Sequence, residues 1–193
     1  DHVSLEIASG GITLLMGSSG SGKSTLAAVA AGLYPQNGGY LQQGRIELFG
    51  TPLNALNQQQ RARLMTVMFQ NPDLQFCMNT LRKEMQFCLE NLCVAPEQMD
   101  ERIRTASARL ALDPLLDRPL HSLSGGEKQK AALACLYVME SRCLLLDECF
   151  ANIDRSAARE LVQLLLQIRK EGRTIIAIDH QLDLWLDVAD EIR

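Results

Sequence analysis

Three observations predict an α/β fold with a mostly parallel sheet and an inserted helical block. Short apolar runs alternate with helix-patterned segments, the order that builds parallel β-α-β units. A glycine-rich octapeptide, Gly17–Ser24, joins one such run to a helix. The stretch 71–123 has few strand signals and reads as two amphipathic helices, Asn79–Leu92 and Glu97–Leu112, parted by Pro96.

Composition sets the frame. The chain has 193 residues, 47% hydrophobic and 22% charged, ordinary values for a globular domain. Disorder, collagen, coiled coil and a disulfide scaffold are excluded. A chain of this length buries most of its apolar surface without disulfides or metal. Its net charge of −4 argues weakly against nonspecific nucleic-acid binding. The longest uncharged run, Ser24–Gly44, is broken by Gly, Pro, Asn and Gln, so it does not read as a membrane span. No signal peptide is visible in a chain that starts at Asp1. The cysteines (Cys77, Cys88, Cys93, Cys135, Cys143, Cys149) form no C-x-x-C pair and read as reduced, mostly buried thiols of a cytosolic protein.

In order, Val3–Ile7 alternates like a half-buried strand, and Ile12–Met16 is an apolar run ending in glycine. Ser24–Leu33 is an Ala- and Leu-rich helix that stops at Gly-Leu-Tyr-Pro, and Arg45–Phe49 is a strand closed by Gly50. Asn54–Arg63 is polar, helical or looped, and Met65–Phe69 is a strand running into Gln70-Asn71-Pro72. After the helical block come a helix over Ser124–Glu140, a buried strand over Cys143–Leu146 and a helix over Ser156–Lys170. That helix carries a stripe of Leu161, Leu164, Leu165 and Ile168. Thr174–Ile178 is a strand, and Leu182–Val188 begins the last helix.

Gly17-Ser18-Ser19-Gly20-Ser21-Gly22-Lys23-Ser24 fits the phosphate-loop pattern G-x-x-x-x-G-K-[ST] in the strand-to-helix context that its mechanism needs. Glycines let the backbone close on phosphate oxygens, and the helix N-terminus presents positive partial charge. Lys23 supplies a full charge to the β and γ phosphates, and the Ser24 hydroxyl suits Mg²⁺. The bland alternative, a flexible Gly/Ser turn, gives Lys-Ser no role.

At Cys143–Glu148 a buried strand ends in Asp147-Glu148 at the carboxyl edge of the sheet, where ligands bind. Asp147 would join the Mg²⁺ shell and Glu148 would polarise an attacking water; alone, the pair also reads as a solvated acidic turn. Leu123-Ser124-Gly125-Gly126-Glu127 opens a helix with a capping box, Ser124 to the Glu127 N–H and Glu127 back again. The two glycines, each costing a helix about 1 kcal/mol, point beside that cap to an anion site.

Taken together these segments resemble the ATPase subunits of ABC transporters, over nearly the whole chain and in family order. The phosphate loop is Gly17–Ser24, the Q-loop glutamine Gln70, the signature Leu123–Glu127, and the Walker B strand Leu144–Asp147 with Glu148 as catalytic glutamate. Asp154 matches the D-loop aspartate and His180 the switch histidine. Phe69–Phe76, with its Asn-Pro-Asp, is similar to the energy-coupling factor ATPases, which drive uptake of vitamins and of cobalt or nickel. So is Leu123–Lys130, although that subfamily usually has Gln where Glu127 stands.

The resemblance implies a P-loop NTPase core of RecA type over 1–70 and 124–193, an antiparallel β part near the N-terminus and a helical subdomain over 71–123. It implies Gly17, Ser18, Ser19, Gly20, Ser21, Gly22, Lys23, Ser24 and Thr25 around ATP, with Ser24, Gln70 and Asp147 around Mg²⁺. Catalysis falls to Glu148, His180, Lys23 and Gln70. Ser124, Gly125, Gly126 and Glu127 of a second ATPase subunit would cover the nucleotide, with Asp154 shaping the dimer contact. Gln70 and the helical subdomain would relay closure to transmembrane subunits, on the cytoplasmic face of the membrane, with no nucleic acid partner.

Departures concern detail: Cys149-Phe150 follows the catalytic glutamate, where a Pro-Thr pair is usual. The D-loop reads Ala151-Asn152-Ile153-Asp154, and Asp179 precedes His180 where Thr or Ser is usual. None of the residues before Gly17 is an adenine-stacking aromatic, and another strand and more helix are expected after Arg193, so the chain reads as shortened at both ends. Two other readings compete. One is a soluble ABC ATPase acting on DNA or ribosomes, but DNA repair and chromosome-maintenance relatives carry far longer insertions than the 54 residues from Gln70 to Ser124. A P-loop kinase or regulatory module leaves Leu123–Glu127 and His180 without roles.

Overall fold

A computed structural model describes residues 3–18, 20–33, 43–151 and 153–193. The strands are β1 (Ile12–Leu15), β2 (Glu47–Leu48), β3 (Thr51–Pro52), β4 (Met65–Met68), β5 (Cys143–Asp147), β6 (Thr174–Ile178) and β7 (Glu191–Ile192). The helices are α1 (Lys23–Ala30), α2 (Gln58–Leu64), α3 (Leu81–Asn91), α4 (Pro96–Arg109), α5 (Gly125–Val138), α6 (Arg155–Lys170) and α7 (Leu182–Trp185). Five strands form one sheet in the order β4-β5-β6-β1-β7, each pairing parallel. The mostly parallel α/β fold expected from the sequence is the one observed.

The central strands β1, β5 and β6 are buried along their full length, as continuous apolar strands covered on both faces must be. Strand alternation divides their side chains between two cores. Leu144, Leu146, Ile175 and Ala177 face a large cluster shared with α3 to α7, while Cys143, Leu145, Ile176 and Ile178 face a smaller one with Leu15, Ala27 and Leu48. Loss of a fully buried leucine such as Leu144 costs about 2–5 kcal/mol, because the transfer term and the cavity term add.

The antiparallel part is a hairpin of β2 and β3, turned by Phe49 and Gly50, both at positive φ as a two-residue type I′ turn requires. Val3–Ile7 differs from expectation: residues 3–8 form no regular element. Alternation alone does not make a strand, since a strand needs a neighbour for its ladder; Val3 and Leu5 stay exposed and only Ile7 packs on the smaller core. Conversely β7 was not foreseen, because two residues carry no periodicity.

Residues 71–123 hold α3 and α4, without a strand beyond an isolated bridge of Thr80 with Pro119. A bidentate Arg82–Asp117 pair, at 2.8 and 2.9 Å, and the Leu120 N–H to Asn79 carbonyl bond fasten the block's exit to its entry. Leu81, Met85, Leu89 and Ile103 of this block share one continuous core with α5 and the sheet. α5 is buried on nearly all sides from Ala131 to Val138, so it has no amphipathic stripe, as expected of a helix inside the protein. The six cysteines are free, but only Cys135, Cys143 and Cys149 are buried; Cys77 and Cys93 are exposed, which corrects the expectation of mostly buried thiols.

Candidate functional site

The site lies along the carboxyl edge of the sheet. Four adjacent parallel strands, β4, β5, β6 and β1, end there and deliver Gln70, Asp147-Glu148, Asp179-His180 and the Gly17 loop. Open parallel sheets bind ligands at this edge.

The loop after β1 turns at Gly20 (φ +79°) and Gly22 (φ +92°), conformations that glycine adopts without strain. Gly22 is the N-cap of α1 and no described side chain caps the helix, so its first-turn N–H groups face outward with the positive end of the helix dipole. The Lys23 ammonium folds back over the loop, donating to the Gly17 carbonyl (2.8 Å), the Ser18 carbonyl (2.9 Å) and Ser21 Oγ (3.3 Å). A Cβ at Gly17 would stand 3.1 Å from Ser21 Oγ and would crowd this concave face. Ser24 and Thr25 are exposed on the first turn of α1. Ser19 lies outside the described residues.

At the end of β5, Asp147 is buried, and its Oδ1 has no hydrogen-bond partner among the described residues. A buried carboxylate oxygen without a donor is costly, and a hard cation relieves that cost. Mg²⁺ therefore suits this residue on the structure's own terms.

Glu148 has φ +49°. Other non-glycine residues in this region have ordinary reasons: Cys93, Ala111 and Glu140 follow the C-termini of α3, α4 and α5, and Phe49 sits in the hairpin turn. Glu148 ends no helix. Its strained turn is held by its N–H to the Ile178 carbonyl at 2.8 Å, and Gln70 Nε2 donates to its Oε2 at 2.8 Å. Cys149 next to it is a buried thiol whose pKa is pushed well up, first by burial and then by the carboxylates of Asp179 and Asp147.

Gln70 is tied to α5 as well. Gln129 Nε2 donates to the Gln70 carbonyl at 3.4 Å, and Lys128 pairs with Asp73 at 2.8 Å. These contacts were not anticipated, because 55 residues separate Asp73 from Lys128. At the start of α5 the capping box is present: Ser124 Oγ accepts from the Glu127 N–H, and the Ser124 N–H donates to Glu127 Oε2 at 2.7 Å. The Ser124 N–H chiefly, with the Ser124 hydroxyl and Arg118, holds the Glu127 carboxyl below its usual range. Gly126 has a packing reason for its size, since a Cβ there would lie 2.7 Å from the Cβ of Ala157. Asp154 caps α6, accepting from the N–H groups of Ser156 (2.8 Å) and Ala157 (3.0 Å). The turn at Ser124–Gly126 and the Asp154 cap are thus neighbours. Among the described residues no hydrogen bond joins Ser124, Gly125 or Gly126 to the phosphate loop or to Glu148.

His180 presents an exposed imidazole, 64% accessible, while its backbone N–H is held by Asp179 Oδ1 at 2.7 Å. Sequence reasoning noted Asp179 only as a departure. Its signal was there to read: a carboxylate directly after five buried strand residues has to find donors nearby.

Comparisons with known proteins identify the family and the fold. The family model described as "ABC transporter" matches residues 1–151. The chain is 40% identical over 185 residues to the putative HMP/thiamine import ATP-binding protein YkoD of Bacillus subtilis, covering 95% of this chain and 34% of that protein. It is 32% identical over 193 residues to the energy-coupling factor transporter ATP-binding protein EcfA1 of Mycoplasma capricolum, covering all of this chain and 46% of that one. The chain thus spans less than half the length of these relatives. Among solved structures, cbiO1 from Clostridium perfringens, described as part of the ABC transporter complex cbiONQ, superposes with a TM-score of 0.86. That likeness has 29% identity and covers 98% of this chain and 75% of that one.

Proposed function

Starting from the family to which this chain belongs, the ABC transporters, whose model matches residues 1–151, we propose that it is the ATP-binding and ATP-hydrolysing motor of an importer of the energy-coupling factor type. The observation that carries this reading is the convergence of Gln70, Asp147-Glu148, His180 and the Gly17 loop on one edge of four adjacent parallel strands. The importer type is supported by the names of relatives at 40% and 32% identity, a putative HMP/thiamine import ATP-binding protein and an energy-coupling factor transporter ATP-binding protein. A vitamin, or cobalt or nickel, is the proposed cargo.

In this reading Gly17 to Thr25 wrap the phosphates, and Lys23 exchanges its loop carbonyls for phosphate oxygens. Ser24, Gln70 and Asp147 hold Mg²⁺, which when bound supplies a Lewis acid that neutralises phosphate charge. The lone Oδ1 of Asp147 supports that assignment. Glu148 takes the proton of the attacking water as the water oxygen bonds to the γ phosphorus and the bond to the ADP oxygen breaks. Gln70 Nε2 donates to Glu148 Oε2 at 2.8 Å, a bond that orients this carboxylate for the water. His180 contacts the γ-phosphate. Ser124, Gly125, Gly126 and Glu127 reach the nucleotide of a second ATPase subunit, with Asp154 at the contact. Two bound ATPs close the dimer and hydrolysis opens it.

The helical block over 71–123 and the Gln70 segment face the transmembrane subunits in this reading. The Lys128–Asp73 and Gln129–Gln70 links support a relay between them and the signature helix. No helix of the described residues is long and apolar enough to cross a membrane. Attachment to the cytoplasmic face through partners, with no nucleic acid involved, completes the proposal.

The test is Glu148→Gln. The variant is expected to bind ATP and to remain a dimer by light scattering, since its phosphate contacts persist while the base is gone. Undiminished hydrolysis by Glu148→Gln would overturn the assignment.

A further inference from the structure

Asp179 is 1% exposed, and both of its carboxylate oxygens are engaged by neutral donors. Oδ1 accepts from the backbone N–H groups of His180 (2.7 Å) and Gln181 (2.9 Å), a turn that fixes the chain at the histidine. Oδ2 accepts from the indole Nε1 of Trp185 at 3.1 Å. Trp185 is wholly buried, and its ring lies 5.0 Å from that of Phe150, tilted by 39°. Phe150 in turn stands two residues after Glu148.

We infer that Asp179 is a positioning residue for hydrolysis, joining the turn that carries His180 to the turn that carries Glu148 through Trp185 and Phe150. This rests on the roles given above to Glu148 and His180. A Ser or Thr hydroxyl has one oxygen and could accept the backbone N–H bonds, but it could not also span to the indole. The carboxylate does both, so the backbone of His180 and the Trp185–Phe150 stack are held by one rigid group. A second link, the Glu148 N–H to the Ile178 carbonyl at 2.8 Å, closes the circuit. The two turns then move as a unit. The relative position of a general base and a γ-phosphate contact has to be precise, since a misplacement of about 1 Å costs about 100-fold in rate.

The test is steady-state phosphate release by the full-length protein carrying Asp179→Asn, Trp185→Phe or both, with Glu148→Gln as the control for the underlying reading. Asp179→Asn keeps the oxygen that faces the backbone but sets an amide N–H₂ against the indole N–H. Trp185→Phe keeps the ring stack and removes only the indole donor. Asp179→Asn is expected to lower kcat about 10- to 100-fold, with the KM for ATP within about 3-fold of the wild type, and Trp185→Phe is expected to lower kcat less. The double variant is expected to recover to the Trp185→Phe level, because the opposed donors are relieved; residues that share one contact do not add. If Asp179→Asn does not fold, Trp185→Phe alone decides. Unchanged kcat in either folded single variant overturns the inference, as does a loss confined to KM, or a double variant worse than Asp179→Asn. Should Glu148→Gln hydrolyse ATP like the wild type, the reading of the base fails and this inference falls with it. If Glu148→Gln is inactive while Asp179→Asn is fully active, only this inference fails.

Discussion

Replacing Gly126 by alanine tests whether the second glycine of the Ser124–Glu127 turn is small because two helices cross there. A Cβ at Gly126 would lie 2.7 Å from the Cβ of Ala157. Carbon atoms in good contact stand about 3.5–4.0 Å apart, so α5 and α6 would have to separate by about 1 Å. Overpacking of this kind costs about 1–3 kcal/mol. Alanine gains up to about 1 kcal/mol of helix propensity over glycine, less at the second residue of a helix than in its middle. With about 0.5 kcal/mol of propensity recovered at this position, the sum is a net destabilisation of about 0.5–2.5 kcal/mol. For a chain of 193 residues this lowers Tm by about 2–4 °C per kcal/mol. The assay is urea unfolding of Gly126→Ala, Ala157→Gly and the double variant as a thermodynamic cycle. Ala157→Gly removes the opposing methyl, so a favourable coupling of about 1–2 kcal/mol is expected in the double variant. Additive effects within about 0.5 kcal/mol, or a Gly126→Ala protein as stable as the wild type, would refute the packing argument.

Other consequences follow from the same geometry. Glu127→Gln is expected to destabilise the chain at neutral pH. The Glu127 carboxyl is held below its usual range, so the stability it contributes is complete above the unfolded pKa of about 4.3 and is lost as pH falls through the lower folded value. Urea unfolding at several pH values should show the difference from wild type vanishing in acid, and a difference that grows as pH falls would count against the ionised cap. Asp154→Ala removes a cap that accepts two N–H bonds and should cost about 1 kcal/mol in thermal unfolding; an unchanged Tm would contradict this. Iodoacetamide at pH 8 should label the exposed Cys77 and Cys93 first. Cys143, pushed up to about 12 by burial, and Cys149, held well above the usual thiol range, should react only after denaturation; labelling of Cys149 in the native chain as fast as Cys77 would show that turn to be open.

Much of the fold was legible because it is written in local patterns. Strand β5 is an unbroken apolar run and α6 a clean helical stripe, so each declared its type and its buried face. The cap at Ser124 is local too, since its side chain bonds within a few residues. Val3–Ile7 shows the limit: its alternation is strand-like, but pairing is a tertiary event, and no partner strand lies beside it in the described chain. The reverse holds for β7, two residues that are strand only because β1 offers an edge.

For the site, the sequence alone determined which residue types stand at which spacing: the loop from Gly17 to Ser24, the acidic pair after β5, the cap at Ser124 and the histidine after β6. Those are short-range facts of chemistry and need no neighbour to be read. Only the tertiary structure decided that β4, β5, β6 and β1 lie side by side, so that Gln70 reaches Glu148 and Lys128 reaches Asp73. It also gave Asp179 its indole partner and Gly126 its facing methyl. Such pairings are set by strand order and helix crossing. These depend on how two cores share one sheet, and no local pattern encodes that distance.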